Sequence, residues 1–326
     1  MNAVTSRPAA KSFPWLLKRE FWENRGGFLW APVIAGGIVA SLYTLLAVIG
    51  SIAGRNKFNG DSMIISGSSA EVRTAIGAFG DGVLLVGIGL TCVILAFVVF
   101  FYALGSLYDD RRDRSVLFWK SLPVSDRDTV LSKLVWALLL APLVAVAVGI
   151  ALGLVLWVVS ALTFTVNGIS ASTAVFTHSH PLRVIGSVLF SLPVYVLWAL
   201  PTAGWLMFCS AWARSKPFLW AVLLPILACV IISMMGILPG IAMPYDKLWY
   251  VVAYRGLLSA VPGAWLPVTG QSMISDMDRP EQLFANMDLF SNWKAFTLPD
   301  LWIGAVVGIA FIAAAIWMRR SRELAD

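Results

Sequence analysis

"GVLLVGIGLTCVILAFVVFFYALGSLY", residues 82–108, contains no Asp, Glu, Lys or Arg, and it is followed at once by the fully charged run "DDRRDR", 109–114. A helix needs roughly 20 apolar residues to cross a hydrocarbon core of about 30 Å. This stretch is long enough to do so, and its end is marked by charge. Positions 26–54, 184–213, 217–245 and 301–318 are equally free of charged residues. So is 134–182, where His178 and His180 are the only titratable side chains. The chain has 326 residues, 59% of them hydrophobic and only 13% charged, with a mean hydropathy of +0.81. A soluble domain carries about a quarter charged residues. These features specify an integral membrane protein.

The charge-free runs place six transmembrane helices at about 29–52, 82–105, 134–160, 184–212, 217–238 and 300–318, an all-α polytopic helical bundle forming one domain over 1–326. "TFTVNGISASTAVFTHSHP" (163–181) is too polar to span and reads as an external loop. With both termini on one side, that side holds 16 of the 24 Lys and Arg. The positive-inside rule makes it cytoplasmic. Trp30, Trp136, Trp157, Trp212, Trp220, Trp302 and Trp317 fall near predicted helix ends, where an amphipathic ring suits the interface. Gly149–Gly153 and Gly304–Gly308 have the spacing that lets two helices approach closely. Cys92, Cys209 and Cys229 sit inside apolar runs and read as small core residues.

Two segments do not span. "FPWLLKREFWENRGG" (13–27) mixes aromatic and basic residues as an amphipathic helix lying in the cytoplasmic interface does. A plain basic flank is the alternative. Residues 239–299 form an extracytoplasmic or re-entrant segment, in which "KLWYVVAYRGLL" (247–258) is half-apolar and too short to cross.

The charged loop, 106–128, is more elaborate than a connector. Asp110 and Arg114 stand at i,i+4 and Asp109 and Arg112 at i,i+3, so 107–122 reads as a helix with acid–base pairs along it. Pro123 ends that helix, and Ser125 with Asp128 three residues on forms a capping box for the next. Phe118 and Trp119 are costly to leave exposed. A solvated loop that only sets topology is the competing reading, with lipid covering the aromatics.

"YDDRRDRSVLFWKSLPVSDRDTVLSKL" (108–134) resembles the segment after the second span in permease subunits of ABC-2 type transporters. Those carry an acidic–basic run, an LP-[VI]-[ST] turn and a helix with a Lys near its membrane entry. The resemblance covers most of the chain as architecture but only these residues as motif. It implies a coupling helix seated in a cleft of a separate cytoplasmic ATPase, present in two copies, which carries the ATP and Mg. Asp109, Asp110, Arg111, Arg112, Asp113, Arg114 and Lys120 would then set orientation, and Phe118 and Trp119 would be buried anchors. Arg214 and Lys216 would make a second cytoplasmic contact. The resemblance also implies a homodimer or heterodimer of permeases in the lipid of a bacterial inner membrane.

No G-x-x-x-x-G-K-[ST] phosphate loop occurs, so the chain itself is expected to hydrolyse no ATP and to hold no cofactor. No H-E-x-x-H or G-x-S-x-G pattern is present, no carboxylate falls in mid-membrane, and nothing suggests a nucleic-acid partner. His178 and His180 read as solvated loop residues or a weak metal site. Two functions remain. One is the permease of an ABC exporter of amphipathic or apolar molecules (peptide antibiotics, drugs or lipid-like compounds). The other is a membrane scaffold or sensor whose loop docks a regulatory protein without transport.

Overall fold

The computed structural model describes residues 13–58, 69–113, 125–168, 173–235, 245–269 and 290–322. Among these, all regular structure is helical, with no strand. Helix α1 (Phe13–Arg25) passes through a five-residue π-type turn into α2 (Ala31–Phe58). α3 covers Ser69–Arg112. α4 (Asp126–Val135) leads through a second such turn into α5 (Ala141–Val166), and a single turn, α6 (Ala174–Thr177), follows. α7 is Pro181–Trp212 and α8 is Leu224–Met235, entered through a π-type turn at Leu219–Leu223. α9 (Tyr245–Trp249) is short, and α10 (Pro299–Arg322) completes the bundle.

Five helices are long and apolar enough to cross a membrane: Phe13–Ala53, Ala70–Arg112, Asp126–Val166, Pro181–Trp212 and Pro299–Ser321. This is the architecture of a multi-pass membrane protein. The segment expected to be the fifth of six spans is helical and apolar over Leu219–Met235, which is shorter than the others, and residues 236–244 lie outside the described set. The helices also overrun the lengths expected from charge spacing. The second extends over Ser69–Arg112 instead of 82–105, so 107–112 continues α3 and does not start a separate helix. Absence of charge delimits what lipid can cover. It does not delimit a helix, which carries its own backbone hydrogen bonds into water.

Lipid is as apolar as leucine, so association of these helices relies on close packing of small residues and on hydrogen bonds between helices. The interior fits that rule. α7 lies at the centre, packed on α10 and α3, while α3 also packs on α5, which carries α2. Ala103, Ala137, Ala141, Ala145, Ala199 and Ala203 are buried, as are Thr91, Ser132, Thr202 and Ser210. Large apolar side chains such as Ile38, Leu46, Val86, Phe97, Ile303 and Val306 face outward, an apolar surface of the kind a bilayer covers.

Both small-residue pairs mark helix contacts. A Cβ on Gly153 would stand 2.7 Å from the Leu84 carbonyl oxygen, and one on Gly308 would stand 2.5 Å from the Leu200 carbonyl. These glycines let α5 meet α3, and α10 meet α7, backbone to backbone.

Trp136 is not an interface tryptophan. It is 6% exposed, stacks on Phe21 and Phe28, and donates its Nε1–H to the Leu17 carbonyl at 2.5 Å. Its indole fastens α1 to the start of the third span. Trp302 and Trp317, 52% and 68% exposed, keep the outward position expected of them.

Ser125 caps α4, its Oγ accepting from the Asp128 amide at 3.1 Å. Ser125→Ala removes that acceptor and costs about 0.5–2 kcal/mol locally. The expected result is faster amide exchange over the first turn of α4 with the rest of the helix unchanged. Uniform exchange rates would contradict the cap.

Candidate functional site

The loop expected to carry function is rooted in a buried cluster of ions. On its N-terminal side, Asp110 sits in the last turn of α3 and is 8% exposed. Its Oδ1 lies 3.5 Å from Lys133 Nζ on α4, and its Oδ2 lies 3.4 Å from Arg319 Nη1 near the end of α10. On its C-terminal side, Asp126 in the first turn of α4 accepts from Arg319 Nε at 3.2 Å. Lys133 also reaches Glu20 of α1 at 3.1 Å, and Tyr102 of α3 donates its hydroxyl to the other Glu20 oxygen at 2.7 Å.

The chain of contacts therefore runs Glu20–Lys133–Asp110–Arg319–Asp126, three carboxylates alternating with two cations, drawn from α1, α3, α4 and α10. Glu20 is 0% exposed, Lys133 3% and Arg319 7%. Little water reaches these groups, so the attraction within the Glu20, Lys133 and Asp110 pairs is far stronger than at a wet surface, and so is the cost of separating one. Asp126, 31% exposed, is the wetter end of the chain. Local sequence explains each position. Glu20 lies on the same face of α1 as Leu16, and these are the two buried residues of that helix. Lys133 shares a face of α4 with Thr129 and Val130, also buried.

A second connection ties the same end of α3 to α7. Arg111 Nη2 donates to the carbonyls of Ser210 and Ala213 at 2.5 and 3.0 Å. Ser210 Oγ accepts from the amides of Leu107 and Tyr108 at 3.1 and 3.0 Å. Thus α1, α3, α4, α7 and α10 converge at the end of the bundle from which the loop emerges.

The expected interface residues divide accordingly. Asp110 is buried in the ion network, and the half-buried Arg111 is held by carbonyls of α7 and the residue after it. Asp109, Arg112 and Asp113 are exposed. Arg114, Phe118, Trp119 and Lys120 lie outside the described residues. Arg214 and Lys216 are exposed in the turn after α7. Lys216 has a left-handed backbone, φ 45°, and borders a shallow cleft with Tyr108 and Asp109, so the two expected contact regions are neighbours.

In the N-terminal half of α3, well inside the helix, Asp81, 2% exposed, accepts from the His180 amide at 2.7 Å and lies 3.6 Å from the His180 ring. His178 Nδ1 is 2.8 Å from Thr177 Oγ1. Among the described residues no group of three or more His, Cys, Asp or Glu side chains is placed to hold a metal.

Glu20, Lys133 and Arg319 escaped sequence reasoning as a set. Glu20 and Lys133 are 113 positions apart, and no local pattern links them. The available signal was indirect: a lone Lys at a membrane entry and a lone Glu on the apolar side of an amphipathic helix each need a partner. No family model, no curated protein and no solved structure matches this chain.

Proposed function

We propose that the chain is the membrane-spanning permease subunit of an ATP-binding-cassette exporter. A separate cytoplasmic ATPase in two copies drives it, and it moves an amphipathic or apolar molecule. The observation that carries this reading is the ion network at the root of the 114–124 loop, which holds Asp110 and Asp126 on its two sides and joins them to α1 and α10. A displacement of the loop is passed to those helices through the buried Asp110 pairs and the half-buried Asp126–Arg319 pair. A machine whose energy source docks outside the membrane needs that linkage, because a ligand shifts a conformational equilibrium only through contacts that differ between the states.

Six spans with both termini cytoplasmic belong to this reading. α7 ends beside α3 at the loop-bearing end, and the apolar helix Leu219–Met235 follows it directly, available to return the chain across the membrane. α1 serves as the interface helix, with Trp15 and Trp22 turned outward, 69% and 55% exposed. The permeases pair as a homodimer or heterodimer in a bacterial inner membrane.

The test is affinity purification of the full chain from native membranes in mild detergent, with mass spectrometry of what accompanies it. A soluble subunit bearing a phosphate loop is the expected companion. The double variant Arg112→Glu, Asp113→Lys leaves the internal ion pairs intact and lowers its recovery about tenfold, the effect of ~1.4 kcal/mol lost from an interface. If no ATPase appears even after crosslinking, the reading is overturned, and recovery of a regulator without ATPase activity points to the scaffold function instead.

A further inference from the structure

Far from the ion network, residues 245–269 fold back against α7 and α10 and insert a charged side chain into the apolar bundle. Arg255 is 6% exposed. Its guanidinium stacks 3.8 Å from the centre of the Trp198 ring and donates to the Trp198 carbonyl at 3.3 Å, to Ser259 Oγ at 3.0 Å and to the Asp300 carbonyl at 3.0 Å. Gly304 makes the room, since a Cβ there would overlap Arg255 Nη2. All these acceptors are neutral, and among the described residues Arg255 forms no ion pair.

The guanidinium borders a cavity of about 350 Å³ between α7, α8, α10 and the 250–257 turn. That is within the roughly 300–1,000 Å³ of small-molecule pockets. Its polar lining residues are Arg255, Tyr250 and Asp300, and the rest of the lining is apolar, including Trp205, Val307 and Phe311. Tyr250 donates to Asp300 Oδ2 at 2.8 Å, and burial together with that bond pushes its phenol up to about 12, so it stays a donor. The outer edge is formed by Val251 and Ile303, 60% and 62% exposed on the outer surface of the bundle.

A cation and a carboxylate thus share one mostly apolar cavity without pairing. Opposite charges in such a place attract strongly and close up unless anchored apart. Here each is anchored, Arg255 by two carbonyls and Ser259, Asp300 by Tyr250. A ligand carrying both charges completes both without moving either. An anion alone leaves Asp300 repelling it, and a small soluble zwitterion leaves the apolar lining unused.

We infer that this cavity binds one zwitterionic membrane amphiphile, with its anionic group on Arg255, its cationic group toward Asp300, and an acyl chain along Trp205, Val307 and Phe311. The site is independent of any ATPase partner.

The experiment uses the purified full-length chain, stripped of lipid in detergent and offered phosphatidylethanolamine and phosphatidylglycerol of identical acyl chains in equal amounts, with retained lipid counted by native mass spectrometry. The expected result is one phosphatidylethanolamine per chain, favoured about tenfold, the effect of one charge-assisted contact. Asp300→Asn reverses the preference toward phosphatidylglycerol, and Val307→Trp, which fills the cavity from its lipid-facing wall, abolishes retention of both. Circular dichroism confirms that each variant is folded. Equal retention of the two lipids, preference for phosphatidylglycerol by the unmodified chain, no retention by it, or an unchanged preference in Asp300→Asn would each overturn the proposal.

Discussion

Lys133→Ala costs about 3–5 kcal/mol, because it leaves Glu20 and one oxygen of Asp110 buried without their shared cation. The measurement is the thermal unfolding midpoint of purified protein in detergent, followed by intrinsic fluorescence and by size-exclusion recovery after heating. Arg319 still faces Asp110 in that variant, so the damage centres on Glu20 and loosens α1 from α4. Replacing Glu20 and Lys133 together, with Gln and Met, removes both the charge and its counter-charge. This double change recovers much of the loss, since a whole buried pair can give way to groups of similar volume at little cost, whereas half of one cannot. An unfolding midpoint for Lys133→Ala equal to that of the unmodified chain would mean that Glu20 is stabilised without Lys133, by hydration or by its own protonation.

Gly308→Leu is expected to cost about 3 kcal/mol, the upper end of ordinary overpacking. The added Cβ would stand 2.5 Å from both carbonyl atoms of Leu200 and 2.8 Å from the Pro201 nitrogen. All three are backbone atoms of α7, so no side chain can rotate away and the two helices must separate. Gly37→Leu is the control, since a Cβ there has nothing within 4 Å and the position faces outward. The comparison is made by the same thermal midpoint. If the two variants behave alike, helix hydrophobicity alone holds the bundle and the close approach of α10 to α7 contributes nothing.

These two expectations differ in how far the sequence announced them. The glycine contact was visible, because Gly304–Gly308 has a spacing whose physical meaning is fixed by helix geometry. What it touches was not visible. Gly308 meets the α7 backbone, while its partner Gly304 admits the Arg255 side chain, and nothing in the spacing distinguishes those uses. The charged run shows the same limit more sharply. Its composition calls for a docking surface, and nothing in it separates the six residues of 109–114 from one another. Folding instead buries Asp110, fastens the half-buried Arg111 to α7, and leaves Asp109, Arg112 and Asp113 outside. One turn of helix separates those fates, and the difference depends on α7 and α10 arriving from elsewhere in the chain.

The amino-acid sequence is sufficient for the class of this protein and for most of its helices. Partition into lipid is set by runs of about 20 residues, a local property that needs no knowledge of partners. The Ser125 cap was equally legible, since it acts within one turn. Pairing of buried charges is not local. Glu20 with Lys133, Asp110 with Arg319, and Arg255 over Trp198 each join distant segments, and a charge is tolerated in an apolar interior only where the packed helices bring its partner to it. Only the tertiary structure decides which charges those are, because the low dielectric that makes them consequential exists only once the bundle has formed.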